Sequence, residues 1–316
     1  MLRPVAYWLS TELVMRSMED ARTTLRRSLR LFWKGITLQY AITYIKKSGE
    51  WKTNYRAKLY NYIGYFHLIN AQDYSRYGYT YRLAIETFNE ALTFDKNWFL
   101  PYQNLGETYL IIAQGKVKQK RQGTEPLQLT EDGIDDIYQA LSYLRIAEKL
   151  FEDNRKKQRI SDEKLDGIKR FLTLSIDITK LLSGDAALVT ESVEHMLANR
   201  AWETDNIYKK IDFRLLYNLA CWYGIAYSIN LPGSDPRLAD AQQRARQIIV
   251  CSLARNAEFW NSASQDSSLE DIATKEEWGS LKRVLERKES NNPDLAKSEG
   301  DAFANDINDI LHRLNW

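Results

Sequence analysis

The stretch YRLAIETFNEALTFDKNWFLPYQNLGETY, residues 81–109, decides the fold. Ala84, Phe88 and Ala91 recur at the spacing that places side chains on one face of a helix. The chain then runs through Asp95 and Asn97 into Pro101, and Tyr102, Leu105, Gly106 and Tyr109 restart a helical stripe. Large residues along that stripe are packing surface, and the small residue within it lets a second helix come close. The end of one helix pair and the head of the next are therefore both legible here.

The same pattern extends outward. Upstream, Tyr60, Ile63, Gly64 and His67 mark a first helix whose partner carries Ala84, Phe88 and Ala91. Downstream, the helix headed by Tyr102 is completed by Ala140, Leu144 and Ala147, and a third pair combines Leu216, Leu219, Ala220 and Tyr223 with Ala245, Ile249 and Ser252. This register resembles that of the tetratricopeptide repeat (TPR) family, in which helix-turn-helix units stack because one unit cannot bury its own apolar face. Between the second and third pairs, residues 165–182 and 186–197 give a further helical hairpin about Ser183, Gly184 and Asp185, with a degenerate pattern. No run of alternating polarity bounded by hairpin turns is present, so the class expected is all-α.

What the resemblance implies is a TPR-like α-solenoid of antiparallel helix pairs over residues 51–285. An N-terminal segment of long amphipathic helices (1–50) precedes it, with Leu13, Leu25, Phe32, Trp33 and Ile36 on the apolar side. A polar linker (286–300) follows, and then a C-terminal capping helix (301–316) capped by Asp301 and carrying Phe303, Ile307, Ile310 and Leu314. Residues 257–285 are similar to terminal segments that close some such arrays.

One departure from the family is systematic. Between the small residue of each first helix and the first small residue of its partner, the family has about twelve residues, whereas the gaps here are 20 (Gly64 to Ala84), 34 (Gly106 to Ala140) and 25 (Ala220 to Ala245). Every pair is expanded at the same edge. The first insert carries Tyr74, Tyr77 and Tyr79, a residue type that gives large contact area at low entropic cost. The second carries Lys118 and Arg121, and the third reads as a turn through Pro232, Gly233 and Pro236. Either the longer helices pack on one another, or this edge binds.

Carried over position by position, the family's concave groove corresponds to Lys58, Asn61 and Tyr65 on the first pair, Leu100, Gln103 and Glu107 on the second, and Arg214, Tyr217 and Cys221 on the third. Asn104 resembles part of the carboxylate clamp of chaperone-binding members, but Gln103, Glu107 and Cys221 do not match it. A chaperone partner is not implied.

Composition narrows the remaining choices. Forty-four Lys and Arg against 42 Asp and Glu leave a formal charge of +2, too balanced for binding driven by phosphate neutralisation. Basic clusters at residues 22–30, 116–121 and 155–170 are interleaved with acids or lie in polar loops, which reads as solvated surface. His67, His195 and His312 lack metal-site or nucleophile–base spacing: His67 reads as a packed residue, His195 and His312 as helix-surface residues. Gly115-Lys116 lacks the rest of a phosphate loop. Cys221 and Cys251 have no CxxC partner and read as inert thiols of a reducing, cytoplasmic compartment.

The uncharged stretch Leu215–Ser234 reads as a buried helix rather than a membrane span, because it carries Asn218, Asn230 and Pro232. The functional expectation is a non-catalytic scaffold or adaptor that binds a protein or peptide, with no cofactor and no metal. Two rivals are the sensor portion of a larger signalling or effector complex, and a nucleic-acid binder using the basic clusters.

Overall fold

A computed structural model describes residues 53–74, 81–116, 127–154, 162–199, 213–229, 235–255, 263, 266–274, 276–279 and 281–282. The expected N-terminal helices, the linker 286–300 and the C-terminal helix lie outside them. The α-helices described over their whole length are α1 (Thr53–Tyr74), α2 (Tyr81–Phe94), α3 (Phe99–Gln114), α4 (Glu131–Asn154), α5 (Asp162–Leu182), α6 (Ala186–Ala198), α7 (Phe213–Ile229) and α8 (Ala241–Arg255). Short 3-10 turns occupy Pro236–Leu238 and Ser267–Leu269. No strand occurs among the described residues, so the class is all-α. The chain divides into two compact units, the first ending at Thr108 and the second beginning at Tyr109.

In the first unit α1 packs along α2, and the contact has the character its sequence announces. Ala84, Phe88 and Ala91 are fully buried. A methyl group placed on Gly64 would lie 2.5 Å from the Phe88 ring, so only glycine lets the two helices sit this close. Tyr60 stacks on Phe94 with ring centroids 5.4 Å apart, and the Arg56 guanidinium lies 5.7 Å from the centroid of the Phe94 ring. Asp95 then turns the chain by accepting the Asn97 N–H at 3.0 Å. His67 is half-buried with its ring edge-on to Phe66, and burial lowers its pKa.

The second unit begins with a closed base. Thr130 N–H donates to the Lys116 carbonyl, and the Lys116 ammonium lies 3.0 Å from Asp132 and 2.7 Å from Asp136. From there α4 buries an apolar stripe, Ile137, Ala140, Leu144, Ala147 and Phe151, and packs on α5. The α5–α6 hairpin turns at Gly184, whose φ of 67° favours a residue without Cβ. Asp185 caps α6 by accepting from the N–H groups of Ala187 and Leu188, both at 3.0 Å. The expected hairpin 165–182 and 186–197 is thus the observed one within a few residues.

α7 packs on both α5 and α8. Trp222, Leu216, Ala220 and Ile225 of α7 are fully buried, as are Ala245, Ile249 and Ser252 of α8. The uncharged stretch 215–234 is therefore a core helix over its described part, and no described helix is long and apolar enough to cross a membrane.

Candidate protein-binding surface

The expected groove positions of the first unit fall along one line of α1 and one of α3. Lys58 is exposed, Asn61 is buried and Tyr65 is half-buried, at steps of three and four along α1. On α3, Gln103 Nε2 donates to Glu107 Oε1 at 2.8 Å. The two lines are joined through the side-chain amides: Asn104 Nδ2 donates to Asn61 Oδ1 at 2.9 Å, inside the protein. Two buried amides that satisfy each other fix how α1 and α3 meet, since either one left alone would keep a desolvated polar group. Around that joint the outward residues are Lys58 and Tyr62, the latter 38% exposed. Tyr62 follows the expected groove position Asn61 by one residue, and an aromatic at that place is the signal the sequence offers for it.

The groove positions expected on α7 lie in different surroundings. The Tyr217 hydroxyl donates to Asp266 Oδ2 at 2.7 Å, and Cys221 Sγ lies 3.7 Å from the same oxygen. Burial beside that carboxylate pushes both the Tyr217 hydroxyl and the Cys221 thiol well above their usual pKa values, which keeps the thiol unreactive while covered. Asp266 therefore lies on the α7 face that carries Tyr217 and Cys221, and the Ser267–Leu269 turn packs on α7 beside it. The side chains of Arg214 and Tyr74, and all of Tyr77, Tyr79, Lys118 and Arg121, lie outside the described residues.

No protein-family model, curated protein or solved structure matches the chain.

The remaining chemistry is a polar cluster holding α5, α6 and α7 together. Asp177 is 1% exposed, and its Oδ2 lies 2.6 Å from His195 Nδ1. Asn199 Nδ2 lies 3.1 Å from the other ring nitrogen. Lys180 reaches Asp177 at 3.4 Å and Glu191 at 3.0 Å. Ser192 Oγ donates to the Asp177 carbonyl and accepts from Trp222 Nε1. Burial holds the Asp177 carboxyl above the usual carboxylate range, against the opposing pull of His195 and Lys180. An Asp–His pair is a familiar general base, but both ring nitrogens here face Asp177 and Asn199 rather than a hydroxyl or thiol. His195, expected as a plain surface residue, is half-exposed yet anchored on a buried carboxylate.

Two further features belong to the second unit. A cleft of about 630 Å³ opens over Leu181, Leu182, Val193 and Leu238, with Thr190 and Arg237 at its rim. Arg237 is held there by Asp235, which accepts from its Nε and Nη2. Lys116, at the head of the second basic cluster, is already paired with Asp132 and Asp136, which reduces what it can offer a phosphate. Among the described residues no group of three or more His, Cys, Asp or Glu side chains is gathered as a metal site.

Proposed function

We propose that the chain is a non-catalytic, TPR-like helical-repeat scaffold of the cytoplasm, and that it binds a protein or peptide segment across α1 and α3. The observation that carries this reading is the Asn61–Asn104 bond. It registers the first helices of two successive pairs, so that Lys58, Tyr62, Tyr65, Gln103 and Glu107 line adjoining stripes. Such a surface mixes an exposed aromatic, a cation and hydrogen-bonding side chains on rigid helices, which suits an extended peptide or a partner helix. Supporting it is the small-residue packing of Gly64 on Phe88, which lets the two helices of one pair approach closely.

The test is affinity capture from native lysate with wild-type protein and with a Lys58→Ala, Tyr62→Ala, Gln103→Ala variant. These positions leave the Asn61–Asn104 joint intact, so the variant is expected to keep its helical circular dichroism and to lose the partner. Equal capture by a folded variant overturns the surface assignment.

A further inference from the structure

The strap from Asp266 to Ala273 is held by side chains of α3, α7 and α8. Tyr217, Cys221 and Gly224 are spaced by four and three residues, one stripe of α7. The strap follows that stripe: the Asp266 carboxylate meets Tyr217 and Cys221, and the Ser268 carbonyl meets Gly224. A Cβ at position 224 would clash with that carbonyl oxygen, so the glycine is what admits a backbone there.

The direction of the hydrogen bonds is the stronger argument. Donors from three helices converge on acceptors of the strap. Tyr217 of α7 donates to the Asp266 carboxylate, Gln114 of α3 to Ser268 Oγ at 2.9 Å, Gln242 of α8 to the Asp271 carbonyl at 3.0 Å, and Arg246 of α8 to the Ile272 carbonyl. Ser267 Oγ in turn donates to the Gln114 carbonyl. The strap supplies its own turn, since Asp266 Oδ1 accepts the Ser268 N–H at 2.9 Å. Leu269 and Ile272 are then fully buried as apolar anchors. A groove that offers donors to a carboxylate and to main-chain carbonyls, with sockets for two aliphatic side chains, has the composition of a peptide site.

We propose that the α7 groove, flanked by Gln114, Gln242 and Arg246, is a peptide-binding site occupied in this chain by its own strap. It accepts in trans a peptide of the same chemistry: a turn capped by an acidic side chain and followed by aliphatic anchors. The strap is then autoinhibitory for this groove, and binding across α1 and α3 does not depend on it.

The test reads the two buried thiols separately. Cys221 lies under Asp266, whereas Cys251 is on α8. Full-length protein is labelled with a maleimide in mild urea and mapped by mass spectrometry. If the strap opens locally, Cys221 reacts about tenfold or more faster than Cys251. Asp266→Asn speeds Cys221 further and leaves Cys251 unchanged. A synthetic peptide of residues 263–274 slows Cys221 in that variant, or in wild type in mild urea where the variant does not fold, and a scrambled peptide does not. Equal rates for the two thiols across urea concentrations, or a Cys221 rate indifferent to the 263–274 peptide, overturns the proposal.

Discussion

The α1–α2 pair and the α7–α8 pair carry the same arrangement of small and large residues, yet they present it to different surroundings. In the first, Gly64 receives the Phe88 ring of its own partner helix, and Lys58 and Tyr62 stay exposed. In the second, Ala220 and Ala245 are fully buried where the helices pack, while a glycine one turn on, Gly224, receives the Ser268 carbonyl from a distant segment. The comparison teaches that a repeat pattern specifies how two helices meet. Whether the face beside that contact stays open is decided elsewhere in the chain.

The largest effect expected is from Phe88→Ala. It empties the socket between α1 and α2 and costs about 3–5 kcal/mol in urea unfolding, a loss of transfer energy plus cavity. A cost near zero would mean that this pair is not held by its small-residue contact.

Next in size are the two glycines. Gly64→Ala and Gly224→Ala each gain helix propensity, but overpacking outweighs it, for a net loss of about 1–3 kcal/mol. Gly224→Ala is expected to be the costlier, because a backbone carbonyl cannot swing aside as the edge of an aromatic ring can. The reverse order in thermal or urea unfolding would break the distinction between a helix–helix glycine and a strap glycine.

Asp185→Ala removes the side-chain acceptor for two N–H groups of α6 and is expected to cost about 1 kcal/mol. Asp185→Asn, which keeps an acceptor, recovers most of it.

The smallest effect is a slope rather than a step. Because burial raises the Asp177 carboxyl above its unfolded value, the folded protein holds that proton more tightly than the unfolded chain does. Its contribution favours folding below the ordinary carboxylate pKa of about 3.9 and declines as pH rises through the raised value. Asp177→Asn lacks this titration. The stability of wild type relative to the variant is therefore expected to fall from pH 4 towards neutrality in urea unfolding, and a flat or rising difference contradicts the direction assigned.

Much of the fold was readable because its determinants are local. The hairpin at Gly184 follows from apolar spacing on either side of a left-handed glycine and a capping aspartate. The stripe Ala140, Leu144, Ala147 on α4 is set by the 3.6-residue period alone. The candidate surface was less readable. The carbonyl oxygen of Asn61, an expected groove position, takes the Asn104 amide 43 residues away inside the protein, a bond that no local pattern announces. Asp266 carries no local signal, since nothing in its neighbourhood distinguishes it from any other acidic residue before two serines.

The sequence by itself determined that the described part of the chain is helical and that a hairpin turns about Gly184, because periodicity and glycine placement act within a few residues of themselves. Only the tertiary structure decided that His195 rests on a buried Asp177 and that the Tyr217 face is covered by a strap 49 residues further along. Those contacts join residues that no local period connects. Their stability comes from desolvated hydrogen bonds, which exist only once the helices have packed.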